Sequence, residues 1–148
     1  MISLPNVKET VDCSQLTNLN YKQLLNETVV DKIEYYLEEN FYLDDMIIFI
    51  QEHGDNAFCE HYDEYVDAGE GYSYRAVDTF IEEFGVDNLS SFEDAYRGEW
   101  DSKAQYAENY VTDCYSFEIP GFLEIDWDAT FENLDCVYAN GFVFDSQF

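Results

Sequence analysis

Four carboxylates, Glu60, Asp63, Glu64 and Asp67, stand at i, i+3, i+4 and i+7, the spacing that gathers side chains on one face of an α-helix. Asp78, Glu82 and Glu83 repeat the idea further on, as Glu34 and Glu38 do earlier. Like charges at i, i+4 destabilise a helix by roughly 0.2–0.5 kcal/mol per pair. A helix built only for stability would alternate Glu with Lys, so these acids serve something else. Seven helical steps rise about 10.5 Å, a length over which a DNA duplex carries about six phosphates. The chemistry on offer is that of counterfeit phosphates. It is spread over Glu60, Asp63, Glu64, Asp67, Asp78, Glu82, Glu83, Glu93, Asp94, Glu99, Asp101 and Glu108. A merely solvated acidic face, as very soluble or halophilic proteins carry, is the other reading of the same residues.

Other constellations fail on their spacing. Asp126, Asp128 and Glu132 begin like a calcium loop, but Phe131 stands where the sharp turn needs Gly and Val137 where the bidentate Glu belongs. His53, Cys59 and His61 lie close together without a paired CxxC, and Cys59 and His61 would point to different sides of a helix. No metal and no cofactor are expected. There is no GxSxG and no Gly-rich phosphate loop, and two histidines supply no Ser–His–Asp order. The expectation is a binding protein rather than an enzyme.

Composition points the same way. The chain has 148 residues, with 33 Asp+Glu against 6 Lys+Arg and a formal charge of -27. So lopsided a charge usually means disorder, yet 47% of residues are hydrophobic and 18% aromatic. This is a folded acidic protein. Affinity for nucleic acid comes largely from Lys and Arg on phosphates, and anionic membranes need the same residues. Neither is an expected partner; a basic protein is. The opening MISLPNVKETVDCSQ lacks a basic start followed by an apolar run, so no signal peptide is expected. The apolar run 46–50 is too short to cross a bilayer. Cys13, Cys59, Cys114 and Cys136 read as reduced thiols of a cytoplasmic protein.

These acids must be positioned by helices. Residues 1–30 carry 2 basic and 3 acidic residues, a net of −1, and residues 31–148 carry 4 and 30, a net of −26. Apolar periodicity predicts one long helix over about 20–41 through Leu24, Leu25, Val29, Ile33, Tyr36, Leu37 and Phe41. A second is expected over 44–53 from an Asp cap to Gly54, and a third over 56–67, stopping before Gly69. The fourth runs from a Ser73 cap to Gly85. A short fifth runs from Ser90 or Ser91 to Gly98, and a sixth starts at Asp101 or Ser102 with Tyr106, Ala107, Tyr110 and Val111 inward. Beyond Ser116 the texture changes. A strand is expected over 122–125, then a short helix capped by Asp126, then a hairpin about Asn140-Gly141. The fold expected is α+β and mostly helical, in three parts. These are a segment 1–43 with one long helix, an acidic helical domain 44–114, and a small α+β unit 115–148 with a C-terminal β-hairpin.

The stretch Ser91-Phe92-Glu93-Asp94-Ala95-Tyr96-Arg97-Gly98-Glu99-Trp100-Asp101-Ser102, followed by Tyr106-Ala107-Glu108, resembles the ArdA antirestriction family. That family shows F-x-x-A-Y-x-G-x-[WY]-x-S and then a Tyr-Ala or Phe-Ala pair. Ile125-Asp126-Trp127, Phe131, Leu134 and Asn140-Gly141-Phe142-Val143-Phe144 resemble its C-terminal unit, and Phe49-Ile50-Gln51-Glu52-His53-Gly54 its helical middle. The likeness covers about 44–145. It implies a dimeric DNA mimic from a phage or mobile element. Such a mimic acts in the bacterial cytoplasm, occupies the DNA groove of the Type I restriction–modification methyltransferase core, and evades host defence without catalysis. Phe92, Ala95, Tyr96, Gly98, Trp100, Ser102, Tyr106 and Ala107 are read as holding the fold. Members of that family open with a small β-rich domain, which residues 1–40 do not resemble. A different target, such as a CRISPR effector or another DNA-processing enzyme, is the alternative.

Overall fold

The computed structural model describes residues 13–114 and 120–148; the start of the first expected segment, 1–12, and the stretch 115–119 about Ser116 lie outside them. The fold is α+β and mostly helical, with eight α-helices and one three-stranded antiparallel sheet among the described residues. Contacts group the chain into two compact units, Met1–Glu64 and Tyr65–Phe148, a grouping other than 1–43, 44–114 and 115–148.

In the first unit a 3-10 turn, Cys13–Gln15, leads to α1 (Tyr21–Leu24), α2 (Glu27–Glu38), α3 (Leu43–His53) and the start of α4 (Asp55–Gly71). The single helix expected over 20–41 is two. Leu25 is extended, and the Asn26 side chain starts a new helix by accepting from Val29 N at 3.0 Å. A good N-cap outcompetes helix continuation because it satisfies an orphan amide. Val29, Ile33 and Tyr36 then face inward at helical spacing. Asn40, at φ 71, ends the run in the left-handed region that Asn tolerates. α3 begins at Leu43 with no side-chain cap. Asp44 and Asp45 are therefore first-turn acids facing the positive helix end, not caps. The core is strongly aromatic: Tyr36 stacks on Phe41 at 5.0 Å, and Tyr62 packs against Phe58 at 4.8 Å and Phe49 at 5.1 Å.

α4 does not stop before Gly69. It runs through Gly71, and a Cβ on Gly69 would lie 2.2 Å from the Tyr74 ring. The glycine that reads as a helix stop is a seat for an aromatic ring.

In the second unit the Ser73 side chain caps α5 (Tyr74–Phe84) by accepting from Ala76 N, and Gly85 at φ 92 closes it, both as expected. A 3-10 stretch, Val86–Ser91, and α6 (Phe92–Ala95) lead straight into β1 (Tyr96–Glu99); α7 (Lys103–Cys114), α8 (Trp127–Glu132), β2 (Cys136–Ala139) and β3 (Phe142–Asp145) follow. The Ser102 hydroxyl accepts from Gln105 N at the start of α7, and Asp126 caps α8. The Asn140-Gly141 hairpin forms with positive φ at both residues. No strand forms over 122–125, where Phe122 is 84% exposed. The third strand is instead β1, drawn from residues expected to end the fifth helix. It pairs with β3 because Tyr96 and Glu99 find Phe144 and Phe142. Gly98, at φ 98, takes up the irregular register between them.

Strand order is β1-β3-β2, so β3 is central and buried over Phe142, Val143 and Phe144. Side chains alternate across a sheet. Phe142 and Phe144 enter a cluster with Ala76, Val77, Phe80 and Phe92, whereas Val143 enters another with Tyr106, Ala107 and Phe131. The sheet thus divides two small cores. Four cysteines are free thiols, and no helix among the described residues is long and apolar enough to cross a membrane.

Candidate protein-binding surface

The acids singled out by spacing fall in both units. Glu60, Asp63 and Glu64 lie on α4 in the first unit. The second holds Asp67 on α4, Asp78, Glu82 and Glu83 on α5, Glu93 and Asp94 on α6, Glu99 on β1, Asp101 before α7 and Glu108 on α7. Glu64 is half-buried and the other eleven are exposed. Within α4 the four acids fall inside an arc of about 100° at 3.6 residues per turn. Glu83 sits about 100° further round α5 than Glu82 and belongs to a second face.

What holds these carboxylates is informative. The Tyr36 hydroxyl donates to Asp63 Oδ1 at 2.5 Å, and the Tyr65 hydroxyl to Asp78 Oδ1 at 2.8 Å. Burial first, and then the Glu93 carboxylate, raise the Tyr72 phenol. The His61 ring lies 2.9 Å from Glu64 and 3.6 Å from Glu60. Gln105 reaches Asp101, and Asn18 reaches Asp44 at 3.1 Å. Tyrosine, Asn and Gln fix a carboxylate in place without cancelling its charge. Asp67, Glu82, Glu83, Asp94 and Glu108 have no side-chain partner among the described residues.

The five described cations are all engaged inside their own unit. Lys22 pairs with Glu34 at 3.4 Å, Arg75 with Glu99, Arg97 with Asp145 and Lys103 with Glu132 at 3.2 Å each, and Lys32 donates to the Cys59 carbonyl. Glu99 is therefore partly neutralised by Arg75, unlike the other acids of its group. The pairs are largely exposed and each is worth little in stability. Their effect is to leave most of the acidic surface unopposed. His61, one member of the zinc candidate, is turned toward Glu60 and Glu64, and no group of three metal-ligating side chains occurs among the described residues.

The motif residues lie mostly inward. Phe92 and Ala95 are buried in the core on one side of the sheet, with Tyr96 packed against it. Tyr106 and Ala107 are buried on the other side, with Trp100 against them. The Trp100 indole donates to Arg97 O at 2.7 Å and covers Gly98, whose absent Cβ would stand 3.2 Å from it. Ser102 is the half-buried cap of α7. The segment thus joins two cores and turns one short helix into a strand.

Sequence reasoning did not single out the tyrosine donors. His61 at i, i+3 from Glu64 was legible from spacing; Tyr36–Asp63 and Tyr65–Asp78, separated by 27 and 13 residues, were not. Burial first, then the Asp63 hydrogen bond and charge, raise the Tyr36 phenol well above the usual tyrosine range. Burial first and then Cys136 push Tyr106 up to about 12. A phenol raised in the fold stabilises it fully below its unfolded value of about 10 and loses that contribution as pH climbs through the folded value. The expected result is a thermal midpoint that falls between about pH 10 and 12. A Tyr36→Phe, Tyr106→Phe variant flattens that fall in circular-dichroism melts; an identical fall in the variant contradicts the assignment.

No family model, no curated protein and no solved structure matches the chain.

Proposed function

We propose that the protein is an inhibitor that presents carboxylates in place of DNA phosphates and occupies the DNA-binding groove of a protein target. On the resemblance to ArdA, the target is the methyltransferase core of a Type I restriction–modification enzyme, met in the cytoplasm of a bacterial host by a homodimer of phage or mobile-element origin. The single observation that carries this reading is the treatment of charge. Tyrosine hydroxyls hold Asp63 and Asp78, and of the twelve acids only Glu99 is paired with a described lysine or arginine. Fixed negative charges without counter-charges suit a groove lined by Lys and Arg. No catalytic step is assigned to any residue.

The test is competition. Labelled duplex DNA bound to a Type I methyltransferase core is expected to be released as the protein is added, more effectively at low salt than at high salt. Retention of the DNA at saturating protein sinks the reading. A second target class is favoured by one observation: the described part of 13–43 is helical, whereas the family opens with a β-rich domain. A CRISPR effector or another DNA-processing enzyme then belongs in the same assay. Capture of a basic partner that duplex DNA leaves undisturbed would instead mark an acidic adaptor.

A further inference from the structure

Three of the five described cations are held in the same way. Lys22 lies 6.0 Å from the Tyr21 ring centre and pairs with Glu34. Lys103 lies 5.6 Å from that of Phe131 and pairs with Glu132. Arg75 lies 4.7 Å from that of Phe142 and pairs with Glu99. Each is a two-part seat in which an aromatic ring meets the cation and a carboxylate takes its N–H groups. The closest of the three approaches is made by arginine.

The same two parts occur once more in the second unit. Tyr72 is 48% exposed and follows the end of α4. Its ring is braced edge-to-face against Phe92 at 5.5 Å and Tyr96 at 5.4 Å. The exposed Glu93 directly follows Phe92, against which the ring leans, and after burial it is the Glu93 carboxylate that raises the Tyr72 phenol. Among the described residues no cation lies over this ring. A ring of this size left half in water, on a chain with so few cations of its own, is complementary to a cation from outside.

We propose that Tyr72 and Glu93 form a seat for an arginine side chain of the partner protein. The planar guanidinium fits better than an ammonium because it stacks on a ring while its N–H fork serves a carboxylate. This rests on the reading of the acidic surface as the docking face for a basic protein, and it specifies one contact within it. It also separates this surface from simple phosphate mimicry, since a phosphate offers arginine no aromatic face.

The probes are nona-arginine and nona-lysine peptides, titrated into the whole protein carrying 13C-labelled tyrosine at low salt. Nona-arginine is expected to move the Tyr72 ring signals, assigned with Tyr72→Phe, more than nona-lysine does. Tyr72→Leu is expected to weaken nona-arginine roughly two- to five-fold with a smaller change for nona-lysine. Tyr72→Phe keeps most of the preference, since the ring remains. Equal nona-arginine affinity in wild type and Tyr72→Leu overturns the inference, as do stationary Tyr72 signals with the peptide bound. If Tyr72→Leu still displaces duplex DNA from a target as wild type does, the inference falls while the proposed function stands. If wild type binds neither peptide, both fall. Melting curves matching wild type establish that each variant is folded.

Discussion

Converting Glu60, Asp63, Glu64 and Asp67 together to their amides is expected to weaken binding to a DNA-binding target by roughly four- to several-hundredfold. That range is four exposed ion pairs at about 0.2–1 kcal/mol each. Any one change alone is expected to cost less than about fivefold. The quadruple variant should also show a shallower dependence of affinity on salt. Stability moves the other way. Within α4 these acids form i, i+3 and i, i+4 like-charge neighbours, and each relieved pair returns a few tenths of a kcal/mol. The Asn replacing Asp63 still has an oxygen for the Tyr36 hydroxyl. Binding measured across a salt series, with melts beside it, therefore separates the two readings of the acidic surface. A lower melting temperature with unchanged affinity would mean the acids serve only solubility or structure. A single carboxylate whose loss abolishes binding would mean a discrete site.

Phe80→Ala is expected to cost the second unit about 3–5 kcal/mol. Phe80 is fully buried, with ring centres of Phe84, Phe92, Phe144 and Phe148 at 5.0, 5.5, 5.6 and 5.6 Å. Its loss empties the point where α5, α6 and the central strand meet. A domain is stable by only about 5–15 kcal/mol. This unit carries little in reserve: residues 65–148 hold 3 basic and 19 acidic residues, a net of −16. Compaction brings those charges together, and salt screens them within a Debye length of about 10 Å at 0.1 M. The variant is therefore expected to melt far below wild type in dilute buffer and to recover part of the gap near 0.5 M salt. Near-wild-type melting in dilute buffer would show that the aromatic cluster is not what opposes the repulsion.

Local signals were legible where their cause is local. Ser73 and Gly85 bound α5, Asp126 caps α8, and Asn140-Gly141 turns the hairpin, because caps and tight turns are settled by a few neighbouring residues. The acids at i, i+3, i+4 and i+7 likewise fall on one face of a real helix. Glycine was ambiguous. Gly54 and Gly85 end helices, but Gly69 makes room for the Tyr74 ring and Gly98 bends a strand. Only the partner on the far side tells these uses apart. For the same reason β1 was missed: its residues read as the end of a helix until β3, more than forty positions away, is beside them.

Charge, then, was a property of the sequence alone. A formal -27 on 148 residues is the ground for expecting a basic protein rather than nucleic acid as partner, because Coulomb attraction to phosphates needs cations. The tertiary structure decided how that charge is displayed. It brought tyrosine hydroxyls to Asp63 and Asp78, and it spent the described cations on internal seats. Those pairings join residues far apart in sequence, and a side chain's partner across such a gap exists only once packing has brought the two elements together.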